Sequence, residues 1–113
     1  MRTIHIDGSN IKSKEVLHEV LMKELSLPEW YGKNLDALYD ALTELGEETH
    51  IIIDNSEEML KNLDEYGKKF LKVLEDASND NEFLVYFLEK KASFLKKMYK
   101  KYRDKISHVF LKK

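Results

Sequence analysis

Three short runs of strand-forming residues, each separated from the next by residues of helical periodicity, constrain this fold more than any other feature. Residues 83–88 (FLVYFL) are uninterrupted apolar, as expected for a strand covered on both faces. Thr49–Asp54 (THIIID) is a β-branched run of the same length. Arg2–Asp7 alternates Ile4 and Ile6 with polar residues and closes on the turn sequence Asp7-Gly8-Ser9-Asn10. Between the first two strands Ser13 is placed to cap a helix whose apolar face is Val16, Leu17, Val20, Leu21 and Leu25. Pro28 ends that unit and stiffens a loop over residues 26–33. Asn34 is the expected N-cap of a second helix reaching about residue 45, with Gly46 as its C′ residue. Residues 55–63 predict a short helix and 66–78 a longer one, with Phe70, Leu71, Val73 and Leu74 facing inward. Strands separated by helices require right-handed crossovers. The expected fold is therefore α/β: a small three-stranded parallel sheet flanked by helices.

With 113 residues, 42% of them hydrophobic, the chain suffices for one domain with a single modest core. It has no Cys, which excludes a disulfide scaffold, a thiolate zinc site and a Cys nucleophile. The first residues, MRTIHID, contain neither an apolar signal core nor a cleavage site. No apolar run approaches the roughly 20 residues that span a bilayer. The expectation is a cytoplasmic protein with no membrane partner. The four His (His5, His18, His50 and His108) are scattered, which fits packed or surface residues better than metal ligands.

Residues 27–43 (LPEWYGKNLDALYDALT) are the most informative for function. Two adjacent aromatics precede Gly32, and the helix after Asn34 places Asp36 and Asp40 at i,i+4 on one face beside Tyr39 and Thr43. The wider segment 27–48 holds 6 acids and 1 Lys. Paired carboxylates can act as general acid and base or bind Mg²⁺, but here they lack a third ligand at useful spacing, a Gly-rich phosphate loop and a His within the segment. Without those groups two Asp on a helix are not an active site, and no cofactor is implied. Aromatics rimmed by charge instead mark a protein-binding surface.

The same segment resembles the barstar family, intracellular protein inhibitors of barnase-like secreted ribonucleases. The shared pattern is L-P-E-aromatic-Tyr-Gly-x-Asn-Leu-Asp-Ala-Leu-aromatic-Asp, and residue types match over nearly all of it. The resemblance implies a non-enzymatic, stoichiometric inhibitor whose partner is a basic secreted ribonuclease. It carries partner-binding roles to Trp30, Tyr31, Gly32, Asn34, Leu35, Asp36, Tyr39, Asp40 and Thr43, and to Asp76 on the fourth helix, with Glu75 as the alternative there. Trp30 stands where the family's prototype has Tyr, Tyr39 stands where it has Trp, and Lys33 and Glu44 also differ.

Charge divides the chain in two. Residues 1–88 carry 9 Lys and Arg against 19 Asp and Glu, whereas residues 89–113 carry 10 against 2. The expected organisation is a barstar-like domain over 1–88 followed by a basic amphipathic C-terminal helix over 89–113. Its apolar stripe is Leu95, Met98, Tyr99, Tyr102, Ile106, Val109 and Phe110, with Lys on the other faces. Packing on the acidic body or on a second chain is one use for that helix. Lys interleaved with Tyr also suits an RNA backbone, so a nucleic-acid-associated regulator acting through the tail is the alternative function.

Overall fold

The computed structural model describes residues 1–91. Strands β1 (Arg2–Asp7), β2 (Thr49–Asp54) and β3 (Leu84–Leu88) form a single parallel sheet in the order β1-β2-β3. Helices α1 (Lys14–Glu24) and α2 (Leu35–Thr43) connect the first pair of strands, while α3 (Ser56–Leu63) and α4 (Glu65–Asp80) connect the second. This is the expected three-stranded parallel α/β fold. The basic helix expected at the C-terminus lies outside the described residues.

Burial corrects the reading of the strands. All six residues of β2 are buried, because β2 lies between two neighbours. The uninterrupted apolar run instead forms an edge strand, in which Leu84 and Val85 are buried and Tyr86, Phe87 and Leu88 are half-buried. One face of the sheet contributes Ile4, Ile6, Ile51, Ile53 and Leu84 to the core, and the helices contribute Leu17, Leu21, Leu38, Leu42, Phe70 and Leu74. Each such side chain contributes about 1.5–3 kcal/mol by leaving water. Leu71 and Val73, expected to face inward, are half-buried at the edge of this core.

The two predicted N-caps are present. Ser13 Oγ accepts from Val16 N at 3.2 Å, and Asn34 Oδ1 accepts from Ala37 N at 2.8 Å, each satisfying an otherwise orphaned donor. The C-terminal end of α2 differs from expectation. The helix stops at Thr43, and Gly46 does not take a left-handed conformation. Asn81, just beyond α4, closes it instead: Nδ2 donates to Leu42 O at 2.9 Å and Leu45 O at 3.0 Å, while Oδ1 accepts from Phe83 N at 3.0 Å. The closure expected from Gly46 nearby is supplied by a side chain from the other half of the chain. That contact fixes α2 relative to α4.

Candidate protein-binding face

The loop before α2 is bracketed by two residues in the left-handed region, Ser26 (φ 55°) and Lys33 (φ 53°), and is tightened by Tyr31 N donating to Pro28 O at 2.9 Å. Its two adjacent aromatics separate completely. Trp30 is 84% exposed, while Tyr31 is 7% exposed. Tyr31, named with Trp30 among the expected partner-binding residues, is a largely internal side chain, because its hydroxyl is drawn inward. That hydroxyl lies 2.6 Å from His18 Nδ1, and His18 Nε2 lies 2.6 Å from the hydroxyl of Tyr66 on α4. A neutral imidazole offers one N–H and one lone pair, so it satisfies both phenols at once. Burial lowers the His18 pKa; Glu15 opposes that shift and Lys14 adds to it. Burial, and secondarily Tyr66, pushes the Tyr31 phenol up to about 12. Burial, with Glu15 assisting, also raises that of Tyr66. The three side chains form an uncharged polar chain under the loop.

Gly32 follows at the surface. A Cβ there would sit 3.1 Å from Asn34 Nδ2 and 3.3 Å from Ala37 Cβ, so the turn is tight against the helix start. Asn34 closes it from the other side, donating to Gly32 O at 3.1 Å while capping α2. Asp36 and Asp40 are exposed one turn apart on α2, as their spacing requires. Thr43 turns its hydroxyl onto the helix backbone, donating to Tyr39 O at 3.0 Å and Asp40 O at 3.1 Å. Leu35 is half-buried against the core.

Tyr39 joins α2 to α4 by donating its hydroxyl to Asp80. That hydrogen bond raises the Tyr39 pKa, with burial and the charges of Asp80, Asp76 and Asp40 adding to it. Asp76 is half-buried and paired with Lys72 at 3.1 Å, and Glu75 is exposed and 3.6 Å from the same Lys. An acidic strip thus runs from α2 onto α4 around one aromatic ring. Asp80 was absent from the residues expected here, although its i,i+4 relation to Asp76 places both on one helix face.

Two clefts flank this surface. One, of about 310 Å³, lies between the loop and α2 and is lined by Pro28, Trp30, Tyr31, Gly32, Asp40 and Glu44 among others. The second, of about 550 Å³, brings Asn34, Leu35 and Asp36 beside His18, Lys33 and Tyr66. Among the described residues no group of three or more His, Cys, Asp or Glu is arranged to hold a metal ion, and no helix is long and apolar enough to cross a membrane.

This combination of a stiffened aromatic loop and an acidic helix has a family. Residues 1–103 match the family described as Barstar (barnase inhibitor). The chain belongs to the barstar family. The match runs past the composition break at Glu89. A curated relative from Bacillus subtilis (strain 168), named "Putative ribonuclease inhibitor YrdF", is 37% identical over 88 residues, covering 75% of this chain and 97% of that protein.

Proposed function

We propose that this barstar-family chain is a stoichiometric, non-catalytic inhibitor of a basic, barnase-like secreted ribonuclease, acting in the cytoplasm by covering the enzyme's active site with residues 27–43. The observation that carries this reading is the exposure of Trp30 at 84% beside the free carboxylates of Asp36 and Asp40 on a capped helix. A ribonuclease presents cationic side chains to a phosphodiester, and carboxylates fixed on a helix can occupy that phosphate site and pair with its Arg groups. Trp30 supplies an anchor whose immobilisation costs little conformational entropy. Gly32 allows close approach of the backbone, while Asn34 and Leu35 hold the helix start. Tyr39, Thr43, Asp76 and Asp80 complete an acidic and aromatic surface that suits a cationic active site. Tyr31 supports the loop from beneath.

The test is an inhibition series against barnase. Asp40→Ala should weaken inhibition most, by about 2–5 kcal/mol, a range that the family's own barnase–barstar pair helped define, because it strands buried cationic groups of the enzyme. Asp36→Ala should follow, and Glu44→Ala should mainly alter the association rate. Melting temperatures should barely move, since exposed helical carboxylates contribute little to stability. An Asp40→Ala variant that stays folded and inhibits as well as the parent would show that this face is not the inhibitory one.

A further inference from the structure

Of residues 26–33, Tyr31 alone is buried; Leu27 is half-buried and the other six are exposed. Leu27 packs on the core at the start of the loop and Lys33 pairs with Glu19 at 3.0 Å at its end, which leaves Tyr31 as the one buried side chain beside Trp30. Tyr31 reaches the body through a polar end that must find a partner, because a buried hydroxyl left unpaired costs free energy. The partner is His18, 1% exposed on α1, and His18 spends its second ring nitrogen on Tyr66 of α4. The loop, the helix before it and the distant α4 thus meet at one imidazole. Its two nitrogens are not independent. If Nδ1 donates to Tyr31, Nε2 must accept from Tyr66, and the reverse holds in the other tautomer. The far end is also fixed: Lys14 Nζ lies 5.8 Å from the centre of the Tyr66 ring, and that ring meets His18 edge-on at 6.0 Å.

We propose that His18 and Tyr66 are positioning residues for the partner-facing loop, acting on Trp30 through the hydroxyl of Tyr31. The inference rests on the inhibitor reading for its functional consequence but not for its physical content. Tyr66 lines the cleft beside Asp36, but its hydroxyl is turned to His18, and in this scheme the pair acts through the loop rather than by touching the partner. Tyr66 orients the imidazole, the imidazole orients the Tyr31 phenol, and the phenol holds the backbone from which Trp30 projects. Removing the Tyr66 hydroxyl frees one imidazole nitrogen, loosens the tautomer choice and so loosens the loop, without changing any charge on the acidic face.

Trp30 is the single tryptophan of the chain, so its fluorescence reports the loop in the absence of any partner. The experiment uses full-length Tyr66→Phe, which keeps the ring contacts with Lys14 and His18. Time-resolved anisotropy of Trp30 in the free chain should show a larger amplitude of fast local motion than in the parent. Dissociation from barnase should then accelerate about 3- to 10-fold, the effect expected of one lost hydrogen bond. The association rate should stay unchanged, because the charges are unchanged. His18→Gln, which retains one donor and one acceptor, should preserve loop order better than His18→Leu, a difference that loss of packing alone would not produce. Unchanged Trp30 motion in Tyr66→Phe would overturn the coupling. Altered motion with an unchanged dissociation rate would overturn its role in positioning the binding surface. Failure of the parent to bind barnase would count against the inhibitor reading, while the Trp30 measurement would still decide the coupling.

Discussion

Trp30 and Tyr31 differ so much in exposure that truncating each measures a different quantity. Trp30→Ala removes a ring already in water, so its melting temperature should match the parent while nuclease binding weakens by about 2 kcal/mol or more, as for a buried aromatic anchor. Tyr31→Ala should lower both, since it removes the one buried side chain of the loop; equal melting temperatures for the two variants would contradict this division. Sequence spacing fixes which residues are adjacent but not which of two aromatics turns inward. The inward turn depends on His18 and Tyr66, 13 and 35 residues away from Tyr31 in the chain, and no local pattern links them. Their titration supplies a further check. Tyr31 keeps its proton up to about 12 when folded against 10.0 ordinarily, so the stability it confers is complete below pH 10 and is lost as pH rises towards 12. His18 is shifted below its ordinary 6.5, so its contribution is complete above that value and is lost as pH falls beneath it. Denaturant melts across pH should show the alkaline limb flattened in Tyr31→Phe and the acid limb flattened in His18→Gln.

At the scale of elements, the order of strands and helices follows from periodicity, and both N-caps follow from Ser13 and Asn34 because such caps are local bonds. What periodicity does not carry is the choice of central strand. An apolar run states that a strand can be covered, whereas position in the sheet decides whether it is, and β2 rather than β3 takes the middle. The end of α2 was likewise illegible, because its carbonyls are met by Asn81 from the far end of α4. The Asp80 contact with Tyr39 joins the same two helices, so the acidic strip is a product of tertiary packing. Asn81→Ala should cost about 1–3 kcal/mol by removing the side-chain donor from Leu42 O and Leu45 O and leaving the Phe83 amide without its acceptor. The same variant should weaken nuclease binding less than Asp40→Ala, since it moves the face without removing its charge. Urea unfolding beside inhibition constants would separate the two effects; a variant as stable as the parent would show that Asn81 is not the clamp between α2 and α4.

For the whole molecule, the governing quantity is the opposition between an acidic body and a basic tail, −10 over residues 1–88 against +8 over residues 89–113. A cationic nuclease approaching the acidic body is attracted over a distance set by the ionic strength, about 10 Å at 0.1 M salt. The tail carries the same sign as that nuclease and opposes the attraction. Replacing Lys96, Lys97, Lys100 and Lys101 by Gln in the full chain should therefore raise the association rate with barnase at low salt. The advantage should shrink as salt is added, and the dissociation rate should stay constant, because steering acts on encounter rather than on the formed contacts. The same variant separates the two uses of the tail. Were these lysines a nucleic-acid surface, their loss would weaken RNA binding and lower the slope of affinity against salt, which scales with the number of phosphates neutralised. Stopped-flow association with barnase and RNA gel shifts, each over a salt series, measure both. A faster, salt-sensitive association without an RNA shift in the parent fits an inhibitor whose tail moderates capture. An unchanged association rate with a strong, salt-steep RNA shift in the parent would move the function of this chain to its basic segment.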